Sequence, residues 1–358
     1  MDKYKKHKHD VIPCKLSSKT KLLFGSGGSK TIIAVTPNHR VYKYFPLLFE
    51  TTKIKKSSEY MKLFVNEIKA LEYITKSLVI TNLTPHYIMC YNYKFCDNGK
   101  QLFSDCLSID KYLLTKKENT KCEMIYRERP YKIYDKYVVL YLEYAPKSLT
   151  NYFIKIKHKK TDYIKLSLDV LFFQIAYTLI RTWKIYPYFI HGDLFIRNIL
   201  GQDYENKNEY FRYHIGKNIY DVPTLDFTPK ISDFGEVTLN NKYKQYSLVK
   251  DYYNDWYNIV FDIYDGNCHG GKSLSALLSK SKKPFLKKYF SNYLNINVID
   301  KITKNGKRNH LIYSWAKTHD ENFVNLIGLK SPFYMIEYYF SKLFEYNPNH
   351  KIAQEFGN

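Results

Sequence analysis

Three side chains stand out for their type and spacing. Asp193 and Asn198 lie five residues apart in His191-Gly-Asp-Leu-Phe-Ile-Arg-Asn198, and Asp233 opens Asp233-Phe-Gly235. A carboxylate on a short loop can orient an attacking hydroxyl and take its proton. An amide oxygen and a second carboxylate suit Mg²⁺, a hard cation that prefers oxygen donors and keeps several waters. Phosphoryl transfer asks for both, together with cations that neutralise the phosphates. That chemistry makes Asp193 the base and Asn198 and Asp233 the metal ligands. Neither motif alone carries the reading, since an Asp-Phe-Gly tripeptide arises by chance. Their order along the chain, after a glycine-rich hairpin, makes the combination specific.

The hairpin is the first of the elements that must position them. Lys21-Leu-Leu-Phe24 reads as a strand entering Gly25-Ser-Gly-Gly-Ser29. Thr31-Ile-Ile-Ala-Val35 and Arg40-Val-Tyr-Lys-Tyr-Phe45 read as two more strands, joined by a turn at Pro37-Asn38. Residues 59–75 place Leu63, Phe64, Ile68, Leu71 and Ile74 on one helical face. Residues 97–134 are lysine-rich and read as an irregular, elaborated loop. Tyr137-Val-Val-Leu-Tyr-Leu142 is a β-type run that ends at Glu143-Tyr-Ala-Pro146. From there the pattern is helical: residues 166–183 have one apolar face, and helical character returns around 256–263 and 335–344. A β-rich first part, a short connector and an α-rich second part predict an α+β chain of two lobes with a cleft between them. The boundaries fall at a loosely held basic leader over 1–20, an N-lobe over 21–143 and a C-lobe over 144–358.

With 358 residues, 45% of them hydrophobic, the chain can build a sizeable core and is not a disordered one. A net charge of +22 invites polyanionic partners. Lys is abundant alongside Tyr, Asn, Ile and Phe, as codon bias in an AT-rich genome produces. The basic residues are spread out and form no nucleic-acid-binding motif, so no dedicated nucleic-acid site is expected. Six cysteines, at 14, 90, 96, 106, 122 and 268, form no Cys-x-x-Cys pair and match no zinc spacing. Reduced thiols in a cytosol-like compartment are expected. The amino terminus is basic and lacks the apolar stretch of a signal peptide. Residues 171–180, among the longest apolar runs, are too short to span a membrane and read as buried helix. The expectation is a soluble, cytoplasmic protein.

From about residue 22 to 261 the sequence resembles the protein-kinase-like superfamily. Gly25-Ser-Gly-Gly-Ser-Lys30 is similar to the glycine-rich loop over ATP phosphates, which implies phosphate contacts at Gly25, Ser26, Gly27 and Gly28. Lys43 resembles the strand lysine that binds the α- and β-phosphates, and Glu67 the helix glutamate that pairs with it. Glu143-Tyr-Ala145 resembles the hinge, where main-chain groups of Glu143 and Ala145 would bond adenine, with Leu142 as gatekeeper. Ile32 and Val41 would roof the adenine and Leu200 would floor it. His191, Asp193 and Asn198 match the catalytic loop, with His191 packed rather than reactive, and Asp233 matches the magnesium aspartate. Leu71 would stack towards Phe234 and His191. Asp255-Trp256 resembles the start of the helix that anchors the catalytic loop. The resemblance implies a bilobal kinase-like fold, ATP and Mg²⁺ as cofactors, and transfer of the γ-phosphate to a Ser or Thr hydroxyl of a protein. In style the chain looks most like the serine/threonine kinases of giant, mimivirus-type DNA viruses, which implies the host cytoplasm or the virion as its place.

Departures from the family pattern are informative. Lys30 replaces the third glycine, and Gly28-Ser-Lys-Thr31 lacks the glycine before lysine that a Walker A loop needs. Gly192 stands where regulated kinases carry an arginine that grips a phosphorylated loop. Phe195 stands where serine/threonine kinases carry a lysine; Arg197 can supply that cation or can pair with a nearby carboxylate, and the sequence leaves both open. The 35 residues from Asn198 to Asp233 imply an insertion over 203–229, and the 22 from Asp233 to Asp255 an abbreviated substrate-docking segment. Small-molecule kinases of the aminoglycoside and choline type share His-Gly-Asp and the short segment, but no acidic pocket for a cationic substrate is visible. The basic run over 272–288 suits an acidic protein substrate better. A non-catalytic scaffold is the third reading, against which Lys43, Asp193, Asn198 and Asp233 are all present.

Overall fold

The computed structural model describes residues 2–15, 21–24, 31–50, 59–99, 102, 123–126, 129–204, 206, 208–239, 248–265, 273–304 and 327–357. They divide into two compact units, Met1–Thr75 with Ile88–Tyr144, and Lys76–Tyr87 with Ala145–Asn358. Helices and sheets are mixed in the α+β manner that the sequence pattern predicts.

The first unit opens with helix α1 (Asp2–His7) and is built on strands β1 (Lys21–Phe24), β2 (Ile32–Val35) and β3 (Val41–Glu50), helix α2 (Glu59–Ile74), and strands β4 (Cys90–Cys96), β5 (Glu123–Tyr126) and β6 (Arg129–Leu142). The strands form one antiparallel sheet in the order β1-β2-β3-β6-β4, with β5 paired to β6. Alternation along β3 sends Tyr42 and Tyr44 to one face and Lys43 and Phe45 to the other. The tyrosine face continues across the sheet, where Tyr42 meets Tyr141 at 5.1 Å between ring centroids and Tyr44 meets Tyr137 at 6.1 Å. On α2, Phe64, Leu71 and Ile74 are buried. Glu67 lies three residues after Phe64 and four before Leu71, so the same stripe carries a carboxylate inwards.

Three expectations for this unit are corrected. Residues 2–15 of the leader form a strap, not a loose end. His7 packs on Tyr91 at 5.2 Å, Asp10 pairs with Arg40 at 3.2 Å, and the Tyr44 and Tyr137 hydroxyls donate to the carbonyls of Pro13 and Cys14. Its basic composition hides this, because the contacts are made by backbone carbonyls against buried phenols. Cys14 and Cys96 form a disulfide, where reduced thiols were expected; 82 residues separate them, so no local spacing could reveal the pair. Cys90 keeps its thiol, which burial pushes up to about 12. The stretch read as irregular over 97–134 ends in strand, since β6 begins at Arg129 and pairs Tyr131, Lys132 and Ile133 with the far half of β3. That pairing is non-local and overrides weak local propensity. Residues 103–122 lie outside the described residues.

The second unit contains β7 (Lys147–Ser148), α3 (Leu149–Ile156), α4 (Thr161–Ile185), β8 (Ile199–Gln202), β9 (Tyr210–Ile215), β10 (Asn218–Pro223), β11 (Thr228–Ile231), α5 (Leu248–Asp265), α6 (Leu274–Leu277), α7 (Lys283–Phe290), α8 (Ile296–Lys304) and β12 (Ile352–Phe356). Every residue of α4 from Ser167 to Trp183 is buried. The helix is long and apolar enough to cross a membrane, but 83% of its most apolar window is buried inside the protein, as in a core helix. Trp256 of α5 meets Phe172 of α4 edge-on at 5.7 Å.

The segment expected as an insertion over 203–229 forms the β9–β10 hairpin, and β12 joins it in parallel. Asp221, whose side chain is fully buried, accepts two bonds from Arg212 at 2.8 and 2.9 Å and one from the Asn347 N–H at 2.9 Å. This clamp gives the carboxy-terminal strand its place, which helical periodicity over 335–344 could not foretell. Next to the loop at residues 191–198, β7, β8 and β11 form a second small sheet. Gly201 of β8 lies so close to the Phe227 ring that an added Cβ would come within 2.1 Å of it. Phe227 cannot retreat, being stacked on Tyr152 at 4.7 Å. We predict that Gly201→Ala costs about 1–3 kcal/mol by overpacking, read as a lower Tm, and that Phe227→Leu in the same chain restores part of it.

Candidate active site

In the first unit, Lys43 Nζ and Glu67 Oε1 are 2.6 Å apart, with both side chains more than nine-tenths buried. β3 presents the lysine and the inner stripe of α2 presents the glutamate. The ammonium also lies 4.7 Å from the Phe45 ring centroid. Two desolvated charges are tolerable only as a pair, and removing one partner of such a pair typically costs about 3–5 kcal/mol. Val41 begins β3, opposite Leu142, and is half-buried; Ile32 begins β2, opposite Tyr44. Glu143 follows β6. Its N–H donates to the Met89 carbonyl at 2.8 Å, and its buried carboxylate accepts from the Met89 N–H at 3.2 Å. The side chain thus braces the strand end, a role the sequence reading did not assign. Gly25, Ser26, Gly27 and Gly28 lie outside the described residues.

In the second unit, the loop between α4 and β8 brings Asp193, Arg197 and Asn198 together. Arg197 Nη2 donates to both Asp193 oxygens, at 2.5 and 2.7 Å. Asn198 Nδ2 donates to the Asp193 carbonyl at 2.7 Å and to its Oδ2 at 2.8 Å. Because a carboxylate only accepts, the amide must turn its nitrogen towards Asp193, which leaves Oδ1 as the atom able to serve a cation. Of the two fates open to Arg197, pairing with a carboxylate is the one observed, and that carboxylate is Asp193. Phe195 supports it, with the guanidinium 5.0 Å from its ring centroid. Arg197 Nη1 is buried with no hydrogen-bond partner. Such an orphan donor beside the loop is the kind of group an anionic oxygen would satisfy.

Asp255 fixes the loop from below. Its Oδ2 accepts the His191 N–H at 2.5 Å and its Oδ1 accepts the Gly192 N–H at 3.0 Å. Burial pushes its carboxyl above the usual range, against the pull of His191 and the two N–H donors. One residue matters that the sequence reading missed: Asp262 Oδ2 accepts the Ile196 N–H at 2.8 Å. It sits seven residues after Asp255 on the same helix, two turns along one face, and that spacing was the available signal. Together the two aspartates hold both ends of the loop's first half.

Asp233 is tied to this loop through its neighbours. The Ser232 N–H and hydroxyl both donate to the Asn198 carbonyl, at 2.9 and 3.0 Å, and His191 Nε2 donates to the Ser232 carbonyl at 3.1 Å. Ile190 and Thr238 exchange backbone bonds at 3.0 and 2.8 Å. Asp233 itself has φ +64°, a left-handed conformation that is costly without glycine. Gly192, with φ +78°, explains one departure from the family pattern: a Cβ there would lie 2.6 Å from the Glu236 carbonyl oxygen, so no arginine fits. His191 is buried, with Phe234 at 5.2 Å, which accords with a packing role. Leu200, half-buried in β8, pairs with Ser148 and Lys230, and Ala145, half-buried, opens the longer segment of this unit.

The available donors in this loop module are oxygens, as Mg²⁺ requires. Among the described residues no three His, Cys, Asp or Glu side chains gather. One amide and one carboxylate, Asn198 and Asp233, are fewer than that and still suit an ion that retains most of its own waters.

No protein-family model matches the chain. A protein of Acanthamoeba polyphaga mimivirus described as a "putative serine/threonine-protein kinase" is 27% identical over 314 aligned residues, covering 78% of each chain. A second protein of that virus with the same description is 32% identical over 85 residues, 20% of this chain and 18% of its own. The chain resembles these viral kinases. The 85-residue match covers a small part of that second relative, so the weight of the resemblance rests on the longer alignment.

The Asp262 carboxyl is raised to about 6, first by burial, with the Ile196 N–H and Arg197 opposing. An acid raised on folding binds its proton more tightly in the native state, so ionising it costs stability as pH rises from about 4 through 6. Asp262→Asn keeps an acceptor for Ile196 without the charge. We predict that the Tm of the variant minus that of the wild type becomes more positive as pH rises through about 6; a flat difference from pH 5 to 8 would contradict the assignment.

Proposed function

We propose that this chain is an ATP- and Mg²⁺-dependent kinase that transfers the γ-phosphate to Ser or Thr hydroxyls of proteins, with Asp193 as base. The observation that carries the reading is the convergence of Asp193, Arg197 and Asn198 on one loop, pinned by Asp255 and Asp262. A positioned carboxylate suffices for this chemistry because the transition state is largely dissociative and little base strength is demanded. Asp193 would receive the hydroxyl proton and set the line of attack. Arg197, with Nη2 on Asp193 and an unsatisfied Nη1, is suited to bridge the base and a γ-phosphate oxygen. It thereby takes over the cation that serine/threonine kinases place at the position of Phe195.

Asn198 Oδ1 and Asp233 would hold Mg²⁺, whose charge offsets that of the β- and γ-phosphates. Lys43, fixed by Glu67, would present its ammonium to the α- and β-phosphates. Gly25, Ser26, Gly27 and Gly28 would cover them, and Ile32, Val41 and Leu200 would enclose the adenine beside Glu143 and Ala145, roles supported by the family resemblance. The proposal requires both groups of residues to serve one nucleotide.

The test is phosphorylation of a protein mixture with mass-spectrometric site mapping. Asp193→Asn is expected to lower kcat by about 10²–10⁴-fold while the thermal shift with MgATP stays close to wild type. Wild-type turnover in that variant would remove Asp193 from the role. Lys43→Met strands the buried Glu67 and should lose about 3–5 kcal/mol of stability. Lys43→Met with Glu67→Gln should recover much of that stability yet keep neither the MgATP shift nor activity, which separates nucleotide binding from folding.

A further inference from the structure

Two lysine runs that the sequence separates are joined in the second unit. Residues 155–160, Lys-Ile-Lys-His-Lys-Lys, run from the last turn of α3 into the loop after it, and residues 280–288, Lys-Ser-Lys-Lys-Pro-Phe-Leu-Lys-Lys, lead into α7 and make up most of it. Lys282 Nζ stitches them, donating to the carbonyls of Lys157 at 2.8 Å and Lys159 at 2.6 Å. It does for the end of α3 what a C-terminal cap does. Helix α7 cannot turn its lysines inward. Leu286, Tyr289 and Phe290 are buried, and the Tyr289 hydroxyl donates to Asp169 of α4 at 2.9 Å. Lys159, Lys160, Lys280, Lys283 and Lys288 are therefore left on the surface.

Neither run contains an acid. Among the described residues, the carboxylates that reach them are Asp226, on Lys155 at 2.6 Å, and Asp300, on Lys287 at 2.5 Å. Asp162 lies exposed in the first turn of α4. Among the described residues no ion pair involves Lys159, Lys160, Lys280, Lys283 or Lys288. Like charges held together by the fold repel one another, and a bound polyanion would relieve that repulsion. Helix α3, which leads into the first run, packs against the turn at residues 196–198 as well as against α6.

We propose that this tertiary patch is a docking surface for an acidic, carboxylate-rich segment of a protein substrate. The chemistry favours such a segment over nucleic acid. The runs contain no arginine, the residue suited to bidentate phosphate contacts. The aromatic rings in and just after them, at Phe285, Tyr289 and Phe290, are half-buried or buried and offer no stacking platform for bases. Compact ammonium charges on flexible stems fit a mobile row of carboxylates. The substrate assignment rests on the kinase reading; the binding itself does not.

The experiment uses the full chain and fluorescein-labelled decaglutamate, read by fluorescence anisotropy without nucleotide. Lys159→Gln, Lys160→Gln, Lys280→Gln and Lys283→Gln are combined in one variant; Lys282 is spared because it holds the two runs together. A control of equal charge combines Lys136→Gln, Lys184→Gln, Lys217→Gln and Lys342→Gln, all exposed and elsewhere. The patch variant should bind at least about tenfold more weakly, with the control within about threefold, and the difference should shrink as salt shortens the reach of charge to a few ångströms. Equal losses in both variants would reduce the effect to net charge and overturn the proposal. Tighter binding of a 20-nucleotide single-stranded RNA through the same lysines would overturn it in favour of nucleic acid. In turnover, the patch variant should raise KM for an acidic protein substrate and leave kcat and KM for ATP unchanged. If the wild type turns over no substrate, the kinase reading fails while the anisotropy result stands.

Discussion

A buried carboxylate that accepts two consecutive backbone N–H groups is the constraint from which the loop at residues 191–198 takes its shape. Asp255 holds His191 and Gly192 in this way, and it can do so only because α5 is fixed against α4 by Trp256. The charge is costly to bury, and the N–H donors are what make burial tolerable. With that end fixed, Gly192 can take its left-handed turn beneath the Glu236 carbonyl, Asp262 can catch Ile196, and Asp193 is left at a defined point on the surface of the loop. Asp233 then follows through Ser232, whose bonds to Asn198 join the two segments.

The same economy of desolvated charge governs the first unit. Lys43 and Glu67 are buried together, one from a strand and one from a helix, and their 2.6 Å contact sets the rotation of α2 about its own axis. Around this pair the sheet is unusual in using tyrosines for an inner layer. Phenols can be buried where a partner exists for the hydroxyl, and carbonyls of the amino-terminal strap supply partners for Tyr44 and Tyr137. The strap, the disulfide at Cys14–Cys96 and the Asp10–Arg40 pair together cover that face.

The second unit departs most from the family pattern where chain has been added. The β9–β10 hairpin would expose a free edge, and β12 covers it, with the Arg212–Asp221 pair and His350 holding the returning chain. Tyr210 and His350 stack at 3.7 Å with their rings nearly parallel. An insertion and a distant terminus thus stabilise each other, which is why neither is interpretable from its own sequence.

What the sequence by itself determined are features set by residues close along the chain. The glycine-rich hairpin, the stripe on α2, the apolar run of β6 and the long helix α4 are periodic patterns whose meaning survives without knowledge of partners. Asp193, Asn198 and Asp233 could be picked out because loop chemistry is written in fixed spacings, and Asp255 by its place before Trp256, although the helix that carries it starts earlier, at Leu248, and not at Asp255 as the sequence pattern suggested. Only the tertiary structure decided which carboxylate Arg197 would meet, since Asp193 and other acids were equally available to a flexible guanidinium. It alone showed why residue 192 is glycine, for the obstructing carbonyl of Glu236 lies 44 residues further on. The disulfide, the strap, the clamp on Asp221 and the joined lysine runs share that reason. Each couples groups far apart in sequence, and pairing between distant groups is fixed by how the whole chain packs.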